Sequence, residues 1–162
     1  MRKLILVTYL LSGSGVLACD LKVDSAWIRE APSTAKALAG YALLSNVGSK
    51  PVNVVSSSSS AFAKVEMHET VTENGIAKMR PIEKLEIPAK GKVEFAPSGK
   101  HFMLLEPKAA LKNGNVVSVS LKDATGCQTT VQFKVGAGAS QSAETMDQSK
   151  MDHSKMDHSM HH

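Results

Sequence analysis

A chain of 162 residues with 43% hydrophobic and only 4% aromatic residues has material for one compact domain. Its formal net charge is +4, from 19 basic and 15 acidic residues. These charges are scattered, with no basic stripe interleaved with aromatics, which excludes a nucleic-acid-binding surface.

The chain opens on Met1-Arg2-Lys3, then the apolar run Leu4 to Leu11, small residues, and Val16-Leu17-Ala18. That is the charged, apolar and cleavage-region order of a secretory signal peptide, with cleavage expected after Ala18. The apolar run is far short of the ~20 residues that span a bilayer, so no membrane span is expected. The expected division is a signal peptide over residues 1–18, a folded domain over 19–135 and a tail over 136–162. Export into an oxidising compartment invites a disulfide between the two cysteines, Cys19 and Cys127. A loop of over 100 residues closed in this way is stabilised by at most ~4–5 kcal/mol. The rival reading takes Val16-Leu17-Ala18-Cys19 as a lipoprotein signal with Cys19 lipidated. Leu17 is bulky for that role, and Cys127 would be left alone.

From Leu21 onward the pattern is β. Short apolar or alternating runs cover Leu21–Arg29, Tyr41–Asn46, Val52–Ser57, Lys64–Thr72, Ile76–Ile82, Lys92–Phe95, His101–Glu106, Val116–Lys122 and Gln128–Val135. Turn residues separate them: Asn46-Val47-Gly48, Asn74-Gly75, Ala89-Lys90-Gly91, Pro97-Ser98-Gly99, Asn113-Gly114-Asn115 and Asp123-Ala124-Thr125-Gly126. Many strands at short, even spacing predict an all-β antiparallel sandwich or barrel. No segment has a long apolar stripe of helical period, and Ser33–Ala39 is at most one helical turn.

After Gly136 hydrophobic patterning stops. Pentads follow: Met146-Asp147-Gln148-Ser149-Lys150, Met151-Asp152-His153-Ser154-Lys155, Met156-Asp157-His158-Ser159 and Met160-His161-His162. Such a segment buries too little apolar surface to offset the entropy of ordering, so disorder is expected.

Methionine and histidine travel together in this chain. Of the eight methionines, one is Met1, three (Met67, Met79 and Met103) lie near the core histidines, and four lie in the tail. The six histidines divide likewise, into His68 and His101 in the core and His153, His158, His161 and His162 in the tail. An ordinary sandwich uses Met as a gap-filler anywhere. Soft thioether beside borderline imidazole instead suits copper, Cu(I) above all.

Register can be read from Asn74-Gly75, the strongest short hairpin signal, a two-residue type I′ turn. Centred there, the hairpin pairs Glu73 with Ile76, Val71 with Lys78 and His68 with Pro81. Met79 then shares a sheet face with His68 as its diagonal neighbour, roughly 7–8 Å away and within reach of a long side chain. His101 and Met103, at i and i+2, share a face about 6.6 Å apart along their strand. The same register turns Met67 to the opposite face with Val65 and Ile82, as a core residue. A lone His on a strand is ordinarily a hydrogen-bonded or surface residue, so the metal reading rests on the four positions together. The tail could equally be a solvated spacer, although its paired Asp and Lys do not account for four methionines in a polar segment.

At these residues the chain resembles the periplasmic PCuAC-type copper chaperones, whose motif is His, ten residues, Met, twenty-one residues, His-x-Met. His68, Met79, His101 and Met103 match that spacing throughout. The surroundings are similar too: Ala26-Trp27-Ile28-Arg29, Ala39-Gly40-Tyr41, Met67-His68-Glu69, Met79-Arg80-Pro81 and His101-Phe102-Met103-Leu104. Glu69 stands where some members carry a second Met. The resemblance covers Leu21 to Val135. It implies a cupredoxin-like β-sandwich holding one Cu(I) through His68, Met79, His101 and Met103. It also implies delivery to the CuA centre of cytochrome c oxidase subunit II, alongside Sco-type proteins. Storage for copper tolerance is the alternative destination. The tail residues Met146, Met151, His153, Met156, His158, Met160, His161 and His162 are expected as an auxiliary site, the histidines suiting Cu(II). The core offers no nucleophile–base constellation, so no enzyme activity is expected.

Overall fold

The computed structural model describes residues 19–137. The expected signal peptide and the expected metal-binding residues of the tail lie outside them. The described chain is all-β: β1 (Leu21–Arg29), β2 (Ala37–Asn46), β3 (Val52–Ser58), β4 (Phe62–Glu73), β5 (Ile76–Pro81), β6 (Leu85–Ile87), β7 (Lys92–Phe95), β8 (Lys100–Pro107), β9 (Val116–Asp123) and β10 (Gln128–Gly136). Strand order is β5-β4-β8-β2-β1-β10-β9-β3-β6, with β7 also on β2 and a further β3–β4 pairing that joins the second strand of the path to the second-last. Among the described residues no helix is long and apolar enough to cross a membrane.

Nine strands fall where alternation and turn residues put them. The tenth, β6, is a three-residue strand, too short for its apolar alternation to stand out. Ser33–Ala39 is not a helical turn: the amide of Ala35 donates to the Pro32 carbonyl at 2.9 Å, and β2 begins at Ala37. One pairing departs from the antiparallel expectation, since β1 runs parallel to β10 through Trp27–Lys134, Ile28–Val135 and Arg29–Gly136.

The core is formed by the inward residues of these strands. Ile28, Leu44, Val54, Ile87, Phe102, Leu104, Val119, Leu121, Phe133 and Val135 are fully buried. Phe102 organises the centre, stacked on Phe95 at 4.4 Å between centroids and edge-on to Phe133 at 5.6 Å. Gly40 permits this packing: a Cβ there would lie 3.0 Å from Leu104 Cδ1 and 3.4 Å from both Phe102 and Phe133.

The β4–β5 hairpin turns on Asn74 (φ 52°) and Gly75 (φ 76°), both left-handed as a type I′ turn requires. Its register runs Glu73–Ile76, Val71–Lys78, Thr70–Met79 and His68–Pro81. In β1 a bulge falls between Asp24 and Trp27, with Ser25 at φ 51°. The extra residue reverses the in–out alternation, so Trp27 pairs with Tyr41 on the outer face while Ile28 enters the core.

Cys19 and Cys127 are joined by a disulfide, Cα atoms 5.8 Å apart and 108 residues apart in sequence. The bond ties the segment before β1 to the start of β10. Reducing it, or replacing Cys127 by Ser, is expected to lower the free energy of unfolding by about 4 kcal/mol. Urea unfolding with and without reductant measures this, and a loss under ~1 kcal/mol would mean that strand pairing alone holds the ends together.

Candidate metal centre

Three neighbouring strands, β5, β4 and β8, build the candidate site on their outer face. In β4 the odd positions go inward: Val65 and Met67 are 5% and 4% exposed. Met67 therefore belongs to the core. The even positions Glu66, His68 and Thr70 face out. Across the β4–β8 ladder His68 lies directly opposite His101, and Glu66 opposite Met103. Directly opposed residues share a face, so both histidines and Met103 stand together. Met79, opposite Thr70 in β5, shares that face.

The structure thus brings all four sequence-identified core residues to one side of one sheet, in unequal settings. The imidazoles of His68 and His101 are 6.0 Å apart between centroids and inclined by 46°. His101 is buried at 7% exposure, Met103 is half-buried, and Met79 on the edge strand is 61% exposed. His101 is thus the most covered of the four and Met79 the most open.

Hydrogen bonds orient both rings. His101 Nδ1 lies 3.1 Å from the Gly99 carbonyl. A carbonyl only accepts, so Nδ1 carries the proton and Nε2 keeps its lone pair. His68 Nε2 lies 3.0 Å from Glu66 Oε2, while its Nδ1 is buried with no partner. An orphaned ring nitrogen, on a sheet face shared with a second imidazole and two thioethers, fits a soft cation. Among the described residues no three His, Cys, Asp or Glu side chains are grouped to hold a metal ion, so a centre here depends on the methionine sulfurs. Both cysteines are committed to the disulfide, which removes the thiolate that a blue-copper electron-transfer site requires.

Glu66 was not singled out from the sequence, although its position two residues before His68 places it on the same face. Its other oxygen meets Lys64 Nζ at 2.5 Å. The hydrogen bond from Lys64, and then that from His68, holds the Glu66 carboxyl below the usual carboxylate range. Glu69, beside His68 in sequence, points to the other face and pairs with Lys100 at 3.5 Å. The aromatic residues Trp27 and Tyr41 flank the site on the β2 side. Tyr41 is two residues from Ala39, the β-ladder partner of Met103, and so shares its face. The two rings are 4.6 Å apart, and Arg29 lies over Tyr41 at 5.8 Å.

Residues 21–135 match the family model described as "Putative lipoprotein LpqE-like". A protein named "Putative lipoprotein Lxx21020" from Leifsonia xyli subsp. xyli (strain CTCB07) is 36% identical over 122 residues, covering 75% of this chain and 72% of that protein. Among solved structures, a copper-bound PCuAC domain from PmoF2 superposes with a TM-score of 0.61 at 19% identity, covering 73% of this chain and 93% of that one. At 19% that likeness bears on the fold alone. The solution structure of the Cu(I) form of DR1885 from Deinococcus radiodurans is 28% identical with a TM-score of 0.59, covering 75% of this chain and 82% of that one.

The methionines separate by substitution. Met67→Ala opens a cavity in the core and is expected to cost about 2–5 kcal/mol of stability. Met79→Ala removes an exposed side chain and should change stability by less than ~0.5 kcal/mol. Denaturant unfolding of the two variants without metal is the measurement.

Proposed function

The chain belongs to the LpqE-like family, of PCuAC type, and we propose that it is an exported copper chaperone carrying Cu(I) on the outer face of β5, β4 and β8. The observation that supports this reading is the shared face of His68, His101, Met103 and Met79. The donors on this reading are the two imidazoles and the two thioethers. All four donors are neutral, and the thioethers carry no proton, so only the histidines make affinity fall in acid. Neutral, soft donors hold Cu(I) firmly in water yet yield it to an acceptor rich in thiolate.

The acceptor on this reading is the CuA centre of cytochrome c oxidase subunit II, with a Sco-type protein as a further partner in the periplasm. Residues 1–18 act as the cleaved signal peptide, and the chain performs no catalysis of its own. A second reading, copper storage for tolerance, is favoured by one observation, the Met/His pentads of the tail. His153, His158, His161 and His162 there suit Cu(II), with the tail methionines adding thioether donors.

Mixing the Cu(I)-loaded protein with the apo CuA domain, with and without Sco-type protein and reductant, tests delivery. The visible bands of the assembled CuA centre are the expected result, and their absence under every condition favours storage. His68→Ala and Met103→Ala should each weaken Cu(I) binding by more than the ~10–100-fold typical of an outer-shell change. Deleting residues 144–162 should abolish Cu(II) binding and leave one Cu(I) per chain. Loss of Cu(I) as well would refute the division between core and tail.

A further inference from the structure

The two histidines of the site are held by different acceptors on different nitrogens. In His101 the Gly99 carbonyl engages Nδ1 at 3.1 Å, leaving Nε2 as the free donor. In His68 the arrangement is reversed. Its Nε2 meets the Glu66 carboxylate at 3.0 Å, and its Nδ1 is the buried nitrogen without a partner. An ionised carboxylate has no hydrogen to give, so the proton between them sits on Nε2 and Nδ1 presents its lone pair. Glu66 is itself held from the other side by Lys64 at 2.5 Å, which ties its carboxylate down. It also stands opposite Met103 on the β4–β8 ladder, within the donor set and not at its margin.

We propose that Glu66 is a positioning residue that fixes His68 as the Nε2–H tautomer, so that His68 binds the ion through Nδ1 while His101 binds it through Nε2. This rests on the Cu(I) reading above. Metal-bound imidazoles are commonly oriented in this way by a carboxylate on the far nitrogen, and loss of such a partner weakens metal binding about 10–100-fold. Binding through Nε2 of His68 would instead require the ion to displace Glu66 from the position it occupies.

The test combines ring nitrogen NMR on the full chain labelled with 15N-histidine and Cu(I) competition against a chromophoric chelator. In the wild-type protein without metal, His68 should show an unprotonated Nδ1 and a protonated Nε2. Adding one equivalent of Cu(I) should shift Nδ1 of His68 and Nε2 of His101. Glu66→Ala should redistribute the His68 tautomers and lower Cu(I) affinity about 10–100-fold. Glu66→Gln, whose amide oxygen still accepts from Nε2–H, should keep the tautomer and most of the affinity. Circular dichroism on both variants confirms folding, and the wild-type spectra stand whether or not Glu66→Ala folds. A copper-induced shift at Nε2 of His68, or wild-type affinity in a folded Glu66→Ala, overturns the role of Glu66 and leaves the copper site standing. A wild-type protein that takes up no Cu(I) overturns both.

Discussion

The pairing of β4 with β8 is the constraint on which the site depends. A slip of one residue would move Val65 and Met67 out of the core and turn His68 away from His101. The core forbids that slip, because Phe102 and Leu104 on β8 are fully buried and Phe102 is clamped between Phe95 and Phe133. The opposition of the two imidazoles is thus enforced from the reverse side of the sheet, by apolar packing that involves none of the donors. The donor face is set by the folding of the polypeptide itself.

Local geometry was legible in the sequence to the residue. Asn74-Gly75 dictates a hairpin register that the structure reproduces from Glu73–Ile76 to His68–Pro81, which sets Met79 on the face of His68 and Met67 in the core. Non-local geometry was not legible in the same way. That His68 lies directly across from His101 depends on β4 and β8 meeting although residues 74–99 intervene, and alternation specifies faces without specifying neighbours. The bulge at Ser25 hides for a related reason: one inserted residue reverses the alternation, so Trp27 cannot be assigned to the outer face from spacing alone. Similarly, the parallel contact of β1 with β10 leaves no trace in either strand.

Charge is where the structure adds most to the sequence reading. The four residues singled out in the sequence are all neutral. His101 is buried, and the structure adds a charged side chain one hydrogen bond from His68: Glu66, itself steadied by Lys64. The i, i+2 spacing of Glu66 and His68 on a strand carries this information, but a glutamate beside a lysine on an outer face ordinarily reads as solvated surface. Only the missing partner of His68 Nδ1 gives it significance.

The edge strand β5 is exposed along its whole length and ends the sheet on the side where Met79 sits. Open edges invite another chain to extend the ladder, and this one is guarded: Lys78 and Arg80 are both held by Glu73, and Pro81 has no amide hydrogen to offer. The edge thus exposes the Met79 side chain while offering poor footing for a strand added through its backbone. On the proposed reading, an encounter without strand addition is easily reversed, as a carrier that releases its cargo requires.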